Sequence, residues 1–193
     1  MALTLTQQAH QLIRDHFDQR RGEMSLAVDA TCGNGHDTLF LLELGFAKVV
    51  AFDVQERALR ITRERCKEYP AERLSLVEAS HCALKNSLND LELSSLGLNC
   101  VVFNLGYLPS GDKAIATKSE STLKSLEQAC SLLLSGGLIT LLCYPGHPNG
   151  VKETADVIYH LTALNASDTF TLTRYNSERA SATTPVLFTL KKH

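Results

Sequence analysis

The chain lacks a surplus of either charge. Nineteen Lys and Arg against 21 Asp and Glu leave a formal net charge of -2. That excludes a protein that grips nucleic acid through its overall charge, so a polyanionic partner requires a local basic patch. Arg14, Arg20 and Arg21 near the N-terminus and Lys191 and Lys192 near the C-terminus could form one, although terminal elements commonly carry such charges as solvated faces. Paired cysteine motifs are also missing. The cysteines at 32, 66, 82, 100, 130 and 143 include no CxxC, and most stand in apolar runs. This argues against a zinc site or a disulfide framework and predicts free, partly buried thiols in a reducing compartment. No apolar run is long enough to span a bilayer. The longest, Leu132 to Tyr144, is broken by Ser135, Gly136 and Gly137,. The leading MALTLTQQAHQLIRDHF reads as an amphipathic helix without the apolar core of a signal peptide, and a cytoplasmic protein is expected. There is no internal repeat, low-complexity tract or Pro/Gly-rich linker. With 44% hydrophobic and 21% charged residues, the balance is that of a globular chain, and residues 1–193 suffice for one α/β domain.

Strand-like and helix-like segments alternate. Strands are predicted over Ser25 to Ala30, Ala47 to Val54, Leu74 to Ala79, Asn99 to Leu105 and Leu138 to Cys143. Helices are predicted over His36 to Leu44 with Gly45 as the stop, Gln55 to Tyr69, residues 82 to 96, residues 119 to 134 and Lys152 to Leu164. Gly136-Gly137 reads as the turn into the fifth strand. Phe170 to Tyr175 and Pro185 to Leu190 read as a closing antiparallel pair. Continuous apolar strands alternating with helices imply a mostly parallel sheet covered on both faces. Ligands of such sheets bind beyond the carboxyl ends of the strands, where strand order reverses. Functional residues are therefore expected just after strands one to four.

After the first strand comes Asp29-Ala-Thr-Cys-Gly33-Asn34-Gly35-His36-Asp37-Thr38. Gly33 and Gly35 permit a tight turn and close backbone approach to a ligand, but a GxG alone has little specificity. A dinucleotide fingerprint would place a third glycine where Thr38 stands. Asp53 closes the second strand, 18 residues beyond Gly35, where an acidic side chain can accept both hydroxyls of a ribose. NAD and S-adenosylmethionine (SAM) satisfy these features equally. The flanking carboxylates separate them: Asp29 and Asp37 suit the ammonium and sulfonium of SAM and would repel a pyrophosphate. Asp37 could instead serve the helix start. After the third strand, Ser80 could contact an adenine edge or cap the following helix, and His81 could contact a ligand or be structural. After the fourth, Asn104-Leu-Gly-Tyr-Leu-Pro109 places an amide, a glycine and an aromatic ring at the expected catalytic edge. The order is similar to the Asn/Asp-Pro-Pro-Tyr loop of amino methyltransferases, with Leu105-Gly106 in place of the prolines. Asn104 could orient the N–H groups of an amine, with Tyr107 stacking nearby. After the fifth, Cys143-Tyr-Pro-Gly-His147-Pro-Asn-Gly150 forms a shaped loop in which Tyr144 and His147 are candidate substrate contacts; a plain rigid connection would use the same residues.

Taken together, DATCGNGHDT, Asp53, ASH at 79 to 81, NLGYLPSGDK at 104 to 113, the helix carrying Thr122-Leu123, LLLSGGLITLLCYPGH at 132 to 147 and the late strand pair resemble the bacterial YtqB/MnmM-like family of rRNA methylases. The likeness runs over nearly the whole chain. It implies an α/β, Rossmann-like class I methyltransferase fold: a mostly parallel seven-stranded sheet with helices on both faces and a C-terminal antiparallel hairpin. It implies SAM as cofactor and, in the characterised branch, methylation of the 5-aminomethyl group of 2-thiouridine at the tRNA wobble position. By position, Asn34, Asp37, Thr38, Asp53, Gln55, Ser80 and His81 would hold SAM, with Asp29, Gly33, Gly35 and Asn104 beside it. Asn104, Tyr107, Tyr144 and His147 would line the substrate side, Asn104 and Tyr107 in the catalytic role. No metal is implied. Family members commonly carry Asn-Gln-x-Asn-x-Pro-Pro before the last strand; here Tyr175 to Pro185 has one proline and a different polar set, which bears on the substrate.

Other readings are an amine on rRNA or a small molecule as acceptor, a NAD-dependent oxidoreductase, and a non-catalytic SAM-binding module. Thr38 and the flanking carboxylates disfavour the second; the NLGYLP loop disfavours the third. An acidic chain would grip tRNA through the basic N-terminal helix or through a composite surface made by a homodimer.

Overall fold

A computed structural model describes residues 3–107, 116–146, 148–176 and 181–193. Seven strands form one sheet: β1 (Leu26–Asp29), β2 (Lys48–Asp53), β3 (Leu74–Glu78), β4 (Leu98–Asn104), β5 (Leu133–Cys143), β6 (Phe170–Asn176) and β7 (Val186–Lys192). Six helices accompany them: α1 (Leu5–Phe17), α2 (His36–Leu44), α3 (Glu56–Arg65), α4 (Leu84–Asp90), α5 (Ser119–Leu132) and α6 (Pro148–Asn165). The sheet order is β3-β2-β1-β4-β5-β7-β6. β1 to β5 pair in parallel, and β7 lies antiparallel between β5 and β6. Strand order therefore reverses between β1 and β4, and the carboxyl ends of those two strands frame the crevice where such sheets bind ligands.

The strands form because they bury both faces. β1 is buried at all its positions and β4 along Leu98 to Phe103. One apolar cluster unites Val28, Phe52, Phe103, Leu126, Leu141 and Phe188; a second, on the opposite face, joins Ile13, Phe17, Phe40, Phe46 and Val102. Helix α1 starts at a capping box, in which the Thr4 hydroxyl accepts from Gln7 N–H and the Gln7 side chain accepts from Thr4 N–H,. It buries Ala9, Ile13 and Phe17, one residue per turn. Among the described residues no helix is long and apolar enough to cross a membrane. All six cysteines are free, and five are buried.

The elements differ from the sequence-based expectation mainly at their ends. α3 stops at Arg65 rather than Tyr69, because the backbone turns at Cys66. The helix expected over 82 to 96 divides into a single 3-10 turn, His81–Ala83, and α4, which ends at Asp90. Gly136-Gly137 lies inside β5 rather than before it. Leu133 pairs with Leu98 while Leu138 pairs with Cys100, so the intervening residues bulge from the ladder. Gly136 has φ +77°, and a side chain there would meet the Arg20 guanidinium,.

Candidate active site

A cavity of about 680 Å³ opens at the carboxyl ends of β1 to β5. Its wall includes Gly33, Asn34, Asp37, Asp53, Gln55, Ser80, His81, Asn104, Tyr107 and Tyr144. The structure thus gathers ten of the residues singled out in sequence into one cavity. Asp29, Gly35 and Thr38 do not reach the wall and form the layer beneath it. His147 lies outside the described residues, as do Leu108 to Ile115 of the NLGYLP loop and Ser177 to Ala180 of the stretch before β7.

The glycine turn is shaped by its surroundings. Gly35 adopts φ +77°, and a Cβ there would come within 2.8 Å of the Thr62 backbone, so helix α3 packs directly against the turn,. The Thr62 hydroxyl donates to the Gly33 carbonyl (3.2 Å), and Arg65 Nε donates to the Asn34 carbonyl (2.6 Å). Asp53 braces the other side. Its Oδ2 accepts from Gly33 N–H (3.0 Å) and its Oδ1 from Gln55 N–H (2.9 Å). Half-buried at the rim, Asp53 both starts α3 and anchors the turn; burial raises its pKa against these backbone donors.

Beneath the turn lie two carboxylates. Asp29 is fully buried, with Oδ2 accepting from the Thr38 hydroxyl (2.6 Å) and Oδ1 from Thr31 N–H (3.2 Å). Burial, and then the neighbouring Asp37, push its pKa up to about 7. Asp37 is also buried. Its Oδ1 lies 2.6 Å from His10 Nε2, and its Oδ2 accepts from Asn104 Nδ2 at a long 3.4 Å. Two acidic groups this close in a buried place select a cation and disfavour a pyrophosphate. Asn104 is further fixed by its backbone N–H, which donates to the Thr31 hydroxyl (2.8 Å).

Ser80 caps the turn that follows, its hydroxyl accepting from Cys82 N–H (3.4 Å), and the residue also lines the cavity. His81 is buried, and that burial lowers its pKa to about 4, so the ring is neutral. Its Nε2 has no hydrogen-bond partner among the described residues.

Several wall and support residues were not anticipated. Thr117 is bound to the β4 loop twice: its hydroxyl accepts from Gly106 N–H (2.9 Å) and its N–H donates to the Gly106 carbonyl (2.8 Å). The same hydroxyl donates to Glu153 Oε2 (2.8 Å), while Thr122 donates to Glu153 Oε1 (2.6 Å). Glu153 is buried on α6 and so holds the β4 loop from behind. Thr183, just before β7, also reaches the wall. Tyr144 shares an apolar cluster with Leu5 and Leu12 of α1, and burial raises its pKa. No local motif marks His10, Thr117, Glu153 or Thr183; they are brought in by strand order alone.

Residues 49–191 match the family described as "Putative rRNA methylase". The chain belongs to this family. The matched stretch leaves out β1 and the glycine turn, which the cavity nevertheless incorporates. A chloroplastic tRNA (mnm(5)s(2)U34)-methyltransferase of Arabidopsis thaliana is 34% identical over 148 residues, which are 73% of this chain and 54% of that protein. The chain thus spans about half the length of that relative. A crystal structure of a "putative rRNA-methylase" from Clostridium thermocellum matches with TM-score 0.86 and 30% identity over 100% of both chains. A "putative methyltransferase" from Streptococcus mutans, solved with S-adenosylhomocysteine (SAH), matches with TM-score 0.82 and 30% identity, again over 100% of both. The family thus has the Rossmann-like methyltransferase fold, and the seven-stranded sheet with its C-terminal antiparallel hairpin is that fold.

Proposed function

We propose that this chain is a SAM-dependent N-methyltransferase whose acceptor is the 5-aminomethyl group of (2-thio)uridine at the tRNA wobble position. The observation that carries the reading is Asn104. Its amide stands in the wall of the same cavity as the Gly33 turn and Asp53, with its nitrogen bonded to Asp37. The relatives support it: one is bound to SAH, and another is named a tRNA (mnm(5)s(2)U34)-methyltransferase, after the methylated nucleoside.

The residues present fit SAM. Asp53 offers carboxylate oxygens at the rim for a ribose diol, and Gln55 lies beside it. Ser80, in the cavity wall beside His81, offers a polar contact to an adenine. Asn34 and Asp37, with Asp29 and Thr38 in the layer behind them, provide the acidic end that an amino-acid ammonium needs,. When bound, SAM supplies an electrophilic methyl group on a sulfonium. The protein's task is positional. An amine needs its lone pair in line with that methyl, and Asn104 Oδ1 can hold an amine N–H to set the angle. Tyr107 and Tyr144 flank this edge as aromatic walls for a base. No strong general base is required if the amine enters neutral. The chain is expected to act as a single domain in the cytoplasm.

The test is mass spectrometry of tRNA nucleosides from a deletion strain. Loss of the methylaminomethyl nucleoside with build-up of the aminomethyl one is expected; an unchanged nucleoside profile removes the tRNA acceptor. In purified protein, Asn104→Ala should keep SAH-induced thermal stabilisation and lose ~10²–10³-fold in turnover.

A further inference from the structure

His10 sits on α1, outside the family-matched residues 49–191, yet it is the residue that engages Asp37 most closely. We propose that His10 is a positioning residue for methyl transfer: through Asp37 it fixes the Asn104 amide with its oxygen turned toward the acceptor amine. The inference rests on the methyltransferase reading above and names a part of that site's machinery.

Three contacts in series carry it. The His10 ring lies flat on Phe40, with centroids 3.9 Å apart and planes 3° from parallel, so its orientation is set by packing,. Phe40 itself is buried in the second apolar cluster. The His10 Nε2 then meets Asp37 Oδ1 at 2.6 Å, a contact in which a protonated ring nitrogen donates to the carboxylate oxygen,. The second oxygen of Asp37 accepts from Asn104 Nδ2. An asparagine amide has two orientations of similar shape, which differ in whether oxygen or nitrogen faces a given neighbour. Beside a carboxylate only the nitrogen is attractive. Asp37 therefore selects the orientation that leaves Oδ1 as the acceptor for an amine N–H.

That selection holds only while Asp37 is itself held. Its nearest acidic neighbour, Asp29, is buried behind it and occupied by Thr38 and Thr31. Those donors leave His10 as the side chain that fixes Asp37 Oδ1. Without it, the carboxylate could rotate away from the buried Asp29, and the amide would lose the partner that decides its orientation. Helix α1 is locked on the same side by Ala9 packing against Leu142 and Leu187, with Leu5, Leu12 and Tyr144 in the same apolar cluster. Truncating His10 therefore removes the ring without releasing the helix.

The experiment compares wild type with His10→Ala and His10→Gln, using tRNA that carries 5-aminomethyl-2-thiouridine. His10→Ala should lower kcat by ~10²-fold, the usual cost of a misplaced reacting group, with KM for SAM changed less than about threefold. His10→Gln keeps an N–H donor of similar reach and should recover at least about tenfold of that loss. Added imidazole should partly rescue His10→Ala, because the ring's place on Phe40 is left open. In the double variant with Asn104→Ala the losses should not multiply, since both act on one amide. A substrate-independent readout comes from NMR of the SAH complex. The Asn104 side-chain NH₂ should be slow to exchange in wild type and at least about tenfold faster in His10→Ala. A kcat within about twofold of wild type, multiplying losses, or unchanged exchange of that amide overturns the proposal. Absence of turnover by wild type on this tRNA overturns the acceptor assignment instead, while the exchange measurement still decides the role of His10.

Discussion

The two halves of the cavity are built differently. The half around the glycine turn comes from one stretch, Asp29 to Gln55, and is held by backbone groups: Gly33 and Gln55 N–H on Asp53, and Gly33 and Asn34 carbonyls under Thr62 and Arg65. The half around Asn104 is gathered from α1, β4, the segment before α5, β5, α6 and the approach to β7, and is held by side chains: His10, Thr31, Thr117 and Glu153. A cofactor pocket made by contiguous backbone is insensitive to most side-chain changes. A substrate edge assembled from distant side chains can change acceptor without disturbing the cofactor, because each support can vary alone. Thr183, from the altered stretch before β7, lines this second half.

The contrast can be tested by breaking each half at its strongest point. Asp53→Ala removes the anchor of Gly33 and the ribose acceptor together. SAH affinity should fall ~10²-fold, from hydrogen bonds to a charged group worth about 1.5–3 kcal/mol, with kcat at saturating SAM little altered; calorimetric titration with steady-state kinetics measures both. A large fall in kcat at saturation would erase the distinction between the halves. On the other side, Glu153→Ala leaves the Thr117 and Thr122 hydroxyls without their acceptor and frees the β4 loop. Turnover should drop about tenfold and stability by ~1–3 kcal/mol, while SAH affinity stays near wild type. Glu153→Gln, which keeps one acceptor oxygen, should lose less by both measures.

The smallest effect is the sharpest in sign. In the free protein Asp29 has its pKa raised to about 7 from an ordinary 3.8, so the folded state holds a proton there between those values that the unfolded chain does not. Its contribution to stability is fully present below 3.8 and is lost as pH rises through 7. A bound ammonium favours the charged form, so SAH binding should release a proton below pH 7 and tighten severalfold between pH 6 and 8. Titration in two buffers of different ionisation enthalpy measures the released proton, and Asp29→Asn should abolish it.

The same division governs what could be read in advance. The parallel strands and the closing antiparallel pair follow from apolar runs and turn residues, which act locally. Asp53 and the glycine turn were legible because spacing along the chain sets their separation in space. Asn104 and Tyr144 were legible because they end strands whose carboxyl edge is predictable. His10 and Glu153 were not. Each sits on a helix whose pattern reports only which face is buried, and their partners Asp37 and Thr117 lie 27 and 36 residues away. The 3-10 turn at His81–Ala83 and the bulge in β5 were missed for a related reason: both are set by neighbours, Gln128 bonding the Cys82 carbonyl and His16 bonding the Gly136 carbonyl.

The position of β7 has a consequence for how the chain assembles. Both neighbours of β7 are earlier in sequence, so during synthesis the parallel strands are complete while the edge of β5 stands open. Leu138 to Cys143 then present unpaired backbone on an apolar strand, and β6 has nothing to pair with,. The last strand from a second nascent chain would fit that gap as well as the chain's own. The chain's own β7, tethered close by, closes that gap at high effective concentration, so a second chain competes for it only where copies are crowded.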